Sequence, residues 1–365
     1  MNYFSFTIIA YLLIMTVGML FTPTAFEEAS GVMYDYITMA VLSVCIVQYI
    51  EDKKDIQTII YAFMIAGLLL ALYVYSMYGS SFWTFMRQSV SETHGSVNRL
   101  DGGLANANTI SLCTAVSAII AGYHVLYART SKWKTVACVF VAAFCFIVSM
   151  AAGSKKSVIL IFVCVVGIWY YSNIGNHNNT KKIRDLVAVI AAVLLLVWMI
   201  NTLPIFSGVA QRFRSLFSFL SGESGTTSEQ GRTNLMKAGL EVWLNHPLFG
   251  AGTASSIYYL GVYSHNNLLE MLINSGLFGF CVFYAVYVFA AKHYLKKAVI
   301  YRETDKYAPL LFALFCGVTV IGFAMVYYYD RYYMYLMATV FSAIRVYNAE
   351  IRTQQKIQSE KGESA

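Results

Sequence analysis

The sequence predicts an all-α, polytopic membrane protein with about ten transmembrane helices and one long extracytoplasmic loop that carries an amphipathic helix. Three observations predict it. Of the 365 residues, 58% are hydrophobic and 12% are charged, and the mean hydropathy is +0.58, far more apolar than an ordinary soluble domain. Ten apolar stretches approach the roughly 20 residues that cross a bilayer. The basic residues also alternate between the connections. With the N-terminus inside, seventeen of the 26 Lys and Arg fall in cytoplasmic segments such as EDKKD, ARTSKWK, NTKKIRD and KHYLKKAVIYRETDK, which puts both termini in the cytoplasm.

The ten spans are expected at about 3–22, 32–50, 56–78, 105–128, 134–151, 157–172, 185–203, 265–291, 309–329 and 331–348. The first has no Lys or Arg before Lys53 and so lacks the positive region of a cleaved leader; it is expected to be a retained helix. The fifth and sixth are short, which fits a tilted or a partly re-entrant pair. The whole chain, 1–365, is expected to be a single membrane domain. Within it, Pro204 to Ser264 forms an outer loop much longer than any other connection. In GRTNLMKAGLEVWLNHPLFG, residues Leu235, Met236, Gly239, Leu240, Trp243 and Leu244 share one helical face, the pattern of an amphipathic helix at a membrane surface. His246-Pro247 should end that helix, and Gly250 and Gly252 should turn the chain back towards the eighth span. All seven cysteines lie inside apolar runs, with no zinc-type spacing and no disulfide framework.

Basic residues outside are unusual, so those there are candidates: Arg87, Arg99, Arg212, Arg214, Arg232 and Arg331, with Lys155, Lys156 and Lys237. A guanidinium is always charged and meets phosphate oxygens in a fork, so a cluster of them suits a diphosphate; singly, each can instead reach lipid headgroups or pair with an acid. In YSHNNLLEMLINSGLFGF, Ser264 is a good N-cap type, which would put His265 in the first turn of the eighth span, where free N–H groups and the helix dipole favour an anion. His265 there is either a proton acceptor for a hydroxyl or an interfacial capping residue. Asn266 and Asn267 can cap the helix or bind a sugar. Glu270 lies more than a turn into an apolar helix, where a carboxylate is costly unless it meets a partner or a wet cavity. Two further polar segments, VNRLDGGLANANT (Val97 to Thr109) and MAAGSKKS (Met150 to Ser157), sit at ends of spans.

No Asp-x-Asp pair, phosphate-binding GxxxxGK[ST] loop or His-Glu-x-x-His motif is present, which counts against nucleotide-sugar use, ATP hydrolysis and zinc proteolysis. A transporter would show repeated halves and proline-broken helices; no repeat is visible, and the four prolines lie at span ends or in loops, so a lipid-linked sugar flippase is the weaker alternative.

GRTNLMKAGLEVWLNHPLFGAG followed by SHNNLLEMLINSGLFGF resembles the signature region of the O-antigen ligase and polymerase (Wzy-type) superfamily of bacterial membrane glycosyltransferases. VNRLDGGLANANT and AGSKKS resemble two further motifs of that superfamily in the same order, although Lys155 stands where an arginine is usual. The resemblance implies a GT-C-like helical membrane glycosyltransferase of the bacterial plasma (inner) membrane with its active site on the outer face. It implies transfer of a glycan from an undecaprenyl-diphosphate carrier to an acceptor hydroxyl without metal or other cofactor. The implied partners are the lipid-linked oligosaccharide as donor and acceptor, membrane lipids and a chain-length regulator protein, and no nucleic acid. On this basis His265 and Arg232 are the expected catalytic residues. Arg99, Arg212, Arg214, Lys155 and Lys156 are expected to bind the diphosphate, with Asn266, Asn267 and Glu270 orienting the acceptor. Polymerase of an O-antigen, capsular or exopolysaccharide repeat unit is favoured over a ligase acting on lipid A core, cell wall or protein, because the chain is short and has no extra domain for a protein acceptor.

Overall fold

The computed structural model describes residues 3–83, 106–127, 131–203 and 227–362, together with 206, 210, 211, 213, 214, 217, 218 and 221. The described residues are all-helical, without a strand. In chain order the helices are α1 (Tyr3–Gly18), α2 (Phe26–Tyr49), α3 (Lys53–Tyr78), α4 (Ala107–Tyr127), α5 (Lys132–Ala151), α6 (Lys155–Asn173), α7 (Asn179–Thr202), α8 (Thr227–Asn245), α9 (Ser255–Leu260), α10 (Asn267–Lys296), α11 (Ala298–Thr304), α12 (Ala308–Ile321) and α13 (Arg331–Gly362).

Among these, α2 to α7 and α10 are long and apolar enough to cross a membrane, while α1 and α12 are shorter apolar helices. The chain is therefore a polytopic helical membrane protein, with a helix over most of each expected span. The differences are local. α5 and α6, expected to be short, are 20 and 19 residues long. The ninth expected span is helical only to Ile321, and the tenth continues to Gly362.

Helix starts follow from short polar side chains. At EDKKD, Asp52 Oδ1 accepts from the Lys54 and Asp55 N–H groups, and Asp55 Oδ2 accepts from those of Glu51 and Asp52. This reciprocal arrangement fixes the start of α3. Asn178 caps α7 by accepting from the Lys181 N–H at 3.0 Å. Asp330 does the same for α13 through Tyr332 N–H at 3.0 Å.

The chain divides into two compact units. The first comprises Met1–Thr58, Arg232–Phe315 and Gly322–Ala365. Its interior is aromatic: Tyr11 lies 5.4 Å from Phe283, 5.6 Å from Tyr36 and 5.7 Å from Tyr328, ring centre to ring centre, mostly in tilted or edge-on contacts that suit ring quadrupoles. At the C-terminal end of α10, polar side chains tie neighbouring helices together. Lys53 reaches Glu350 at 2.6 Å and the Thr304 carbonyl at 3.1 Å, Lys297 donates to Asn348, Tyr347 donates to Asp305, and Arg345 donates to the Val47 and Ile50 carbonyls that end α2.

The second unit comprises Ile59–Gly231 and Cys316–Ile321. Here α4 is mostly buried while most of α7 is exposed. Gly67 brings α3 against α4: a Cβ on Gly67 would lie 2.5 Å from that of Ser117, whose hydroxyl donates to the Met64 carbonyl at 2.6 Å. Small residues and serine bonds of this kind let membrane helices approach where no hydrophobic force drives them together.

Candidate functional site

α8 ends at Asn245, directly before His246-Pro247, as the sequence predicts. Its apolar face is only partly covered: Gly239 is buried against Leu269 and Ile273 of α10, while Met236, Leu240 and Leu244 stay exposed. The chain then crosses α10 at a break in that helix. Gly276 has φ 62° and ψ −167°, a conformation open essentially only to glycine, and it divides α10 into a half-helix, 267–275, and a longer second part. The main-chain groups freed there are taken up by the loop. Ala251 N–H donates to the Ile273 carbonyl at 2.8 Å and Gly252 N–H to that of Asn274 at 3.2 Å, while Leu277 and Phe278 N–H donate to the Pro247 and Leu248 carbonyls, each at 2.9 Å. Backbone that leaves the helix inside a membrane protein must find such partners. The motif His246-Pro-Leu-Phe-Gly-Ala-Gly252 thus fits one side of a joint whose other side is Asn274-Ser275-Gly276.

The loop is also fastened to α1. Thr253 Oγ1 donates to the Met15 carbonyl at 2.6 Å, and Thr22 Oγ1 donates to that of Thr253 at 2.7 Å. After the short α9, the chain turns into α10 through Ser264, His265 and Asn266.

The turn departs from the sequence expectation in two ways. Asn266, not Ser264, is the N-cap: its Oδ1 accepts from the Leu268 and Leu269 N–H groups at 2.9 and 3.2 Å. His265 therefore precedes the helix, in the left-handed region at φ 60°. Histidine is enriched there among non-glycine residues, though at some conformational cost. Ser264 instead closes a small turn, its Oγ donating to the Asn266 carbonyl at 2.8 Å. The second departure concerns the free N–H groups expected to hold an anion. Asn267 N–H donates to the Gly322 carbonyl at 2.7 Å and Glu270 N–H to that of Asn266 at 2.9 Å, so with Leu268 and Leu269 the whole first turn is engaged. An anion near this mouth therefore finds no unbonded N–H group in the first turn of α10.

His265 is partly buried, with its ring edge-on to Tyr263 at 4.2 Å. Behind it, Glu270 is buried and doubly bonded. Its Oε1 accepts from Ser256 Oγ at 2.5 Å, and its Oε2 accepts from the Ser264 N–H at 2.7 Å, one residue before His265. The carboxylate needs partners to be tolerated inside the protein, and among the described residues these are a main-chain N–H and a hydroxyl. One turn on, Asn274 Oδ1 accepts from Ser256 N–H at 3.0 Å and Ser255 Oγ at 3.2 Å, which pins α9 to the half-helix. Ser256 and Asn274 are positioning residues that the sequence alone does not single out; the available signal was a second polar side chain four residues after Glu270 in an apolar run. Asn267 is fully buried. Its Oδ1 accepts from Tyr327 and Tyr328 N–H at 2.8 and 2.9 Å, and its Nδ2 donates to Tyr284 at 2.8 Å. Asn267 thus ties the start of α10 to the segment before α13 and to Tyr284.

Of the candidate cations, Arg232 and Lys237 are exposed on α8, with Arg232 seven residues, about 10 Å of helix, before the Gly239 contact. Arg331 pairs with Asp35 at 2.9 Å and donates to Thr38. In the second unit, Lys155 and Lys156 open α6, and Lys156 is buried. Arg214 is exposed. Arg99 and Arg212 lie outside the described residues, as does Arg87. The described end of the first weaker motif meets the second: Ser154 Oγ donates to Asn108 Oδ1 at 3.0 Å, and, just past the first motif, Ser111 Oγ donates to Ser157 Oγ at 2.7 Å beside the Ser149 carbonyl.

No curated protein matches this chain. Residues 137–284, which hold the Ala152 to Ser157 turn, Arg232, the loop and helix joint, His265 and Glu270, match the family model described as O-antigen ligase, in agreement with the O-antigen ligase/polymerase superfamily.

Proposed function

We propose that this protein is a membrane polysaccharide polymerase, transferring a glycan from an undecaprenyl-diphosphate carrier to a sugar hydroxyl of a second lipid-linked repeat unit. The observation that carries this reading is His265, held in a left-handed turn by the Ser264 bond to Glu270 and the Asn266 cap, inside the stretch that matches the O-antigen ligase family. The acceptor oxygen attacks the anomeric carbon, the bond from that carbon to the phosphate oxygen breaks, and the diphosphate leaves with the bonding pair. The hydroxyl proton passes to the imidazole, whose ordinary pKa suits a base at neutral pH. A single displacement inverts the anomeric centre.

Arg232 is the cation we assign to the leaving diphosphate, because it is exposed on the helix that packs over the half-helix of α10. A charge-assisted bond contributes about 1.5–3 kcal/mol. About 1.4 kcal/mol of transition-state stabilisation is a tenfold change in rate. The reading places the reaction on the outer face of the bacterial plasma membrane, with both termini cytoplasmic and a chain-length regulator as an accessory partner.

The description of the matched family favours a second reading, a ligase whose acceptor is lipid A core, cell wall or protein. Purified protein incubated with lipid-linked repeat units alone separates the two: a polymerase yields a ladder of products, whereas a ligase yields none until its acceptor is added. In either assay His265→Ala should lose most turnover, and near wild-type turnover would remove the general-base role. Arg232→Ala should lose more than Lys237→Ala; equal mild losses would mean that Arg232 merely reaches lipid headgroups.

A further inference from the structure

We propose that the second unit carries a binding site for an anionic phospholipid, in the groove between α6 and α7. The groove encloses about 390 Å³ and is walled by apolar side chains including Phe162, Val193, Val197 and Phe217. Asn201 and Arg214 are the two polar residues of its lining. Asn201 marks one end as the penultimate residue of α7, and the groove reaches from it to Val193, eight residues or about 12 Å along the helix; Arg214 stands on the wall that also carries Ala210, Phe213 and Phe217. A slot with apolar walls and one cation and one amide in its lining has the polarity of a lipid.

Its size fits one hydrocarbon chain. The apolar stretch from Asn201 to Val193, about 12 Å, takes a hydrocarbon chain laid along α7. Its walls open sideways: Phe162 is 46%, Val197 50% and Phe217 66% exposed, and α7 beside them presents Ile190, Leu194 and Trp198 outward. A membrane lipid can enter from that side with one chain and leave the other in the bilayer. The charge in the lining matches a phosphodiester. Arg214 has no carboxylate partner among the described residues, and Asn201 donates one N–H to the Val197 carbonyl at 2.8 Å, leaving the other for a headgroup oxygen. One guanidinium balances a single negative charge and the neutral amide adds a donor, so Arg214 suits a phosphodiester better than the diphosphate suggested by the family resemblance.

The test is thermal unfolding of the full chain in nanodiscs of phosphatidylcholine, with and without phosphatidylglycerol. Phosphatidylglycerol should raise the Tm by about 2–4 °C through selective binding to the folded state. Arg214→Ala should abolish that difference, and Val197→Trp, made at a half-exposed position, should abolish it by filling the slot. Equal Tm in both lipids, or a difference that survives Arg214→Ala, overturns the proposal. Undecaprenyl phosphate added to phosphatidylcholine discs is the third arm. If it raises the Tm in an Arg214-dependent way and phosphatidylglycerol does not, the groove belongs to the carrier and the phospholipid assignment fails.

Discussion

Gly250 and Gly276 stand backbone against backbone: a Cβ on Gly250 would lie 2.5 Å from the Gly276 nitrogen, and Gly276 itself holds φ 62° and ψ −167°. Neither position has room for a side chain, and Gly276 adds a backbone conformation that costs other residues about 1–3 kcal/mol. Gly276→Ala and Gly250→Ala should each lower the Tm clearly. Gly31→Ala is the control, since a Cβ there meets nothing within 4 Å and alanine is favoured within α2, so its Tm should hold or rise slightly. A Gly276→Ala protein as stable as wild type would show that the joint is not rigid.

His265 occupies the left-handed region that glycine enters freely. His265→Gly should therefore keep or slightly raise the Tm while turnover in the transfer assay collapses. Thermal unfolding and activity measured on one preparation decide this. A large fall in Tm would mean that the imidazole holds the turn together and that activity lost in His265→Ala reports folding.

Glu270 receives one hydroxyl and one amide donor. Glu270→Ala strands both buried donors, at about 1–3 kcal/mol for an unsatisfied buried group. In Glu270→Gln the carbonyl oxygen can still accept from Ser264 N–H, and the new amide can donate to Ser256, whose hydroxyl also accepts. The glutamine variant should be clearly the more stable of the two by denaturation, and should retain the greater activity if the role of Glu270 is to hold the His265 turn. Equal destabilisation would point to the negative charge itself.

Asp330 caps α13, and its carboxyl is pushed up to about 6, chiefly by burial, against the lowering effect of the Tyr333 and Tyr332 N–H groups and of Arg331. A carboxyl raised in the folded state binds more protons than in the unfolded chain between pH about 4 and about 6, so its contribution to stability falls as pH rises through that window and stays low above it. Asp330→Asn keeps the cap oxygen and has no charge to bury. Its Tm relative to wild type should climb from about pH 4 to about pH 6 and then level off. A difference that does not vary with pH removes the titration of Asp330 from the account.

The bilayer explains which of these features were legible in the sequence. A span is a local requirement of length and polarity, so helices were expected over most of each observed apolar segment, and His246-Pro247 stops α8 through a clash of neighbouring residues. The break at Gly276 was hidden because the apolar pattern of LLEMLINSGLFGF runs through it; what opens the helix is a loop some 25 residues earlier, supplying the Ala251 and Gly252 donors. The cap is ambiguous in the sequence for a similar reason. Ser264, Asn266 and Asn267 are all capping types, and the choice is made by the Gly322 carbonyl and the Tyr327 and Tyr328 N–H groups, more than 50 residues away. The serine contacts joining Asn108 and Ser111 to Ser154 and Ser157 likewise span 46 residues and leave no periodic trace.

The break in α10 also sets a depth. Unbroken, its 30 residues would measure about 45 Å, half as long again as a hydrocarbon core of about 30 Å. The twenty residues after Gly276 reach about 30 Å and cross the core unaided. The half-helix with Glu270 and the His265 turn can therefore stand at the level of the lipid headgroups, where a water-soluble sugar and a lipid-borne phosphate can both arrive.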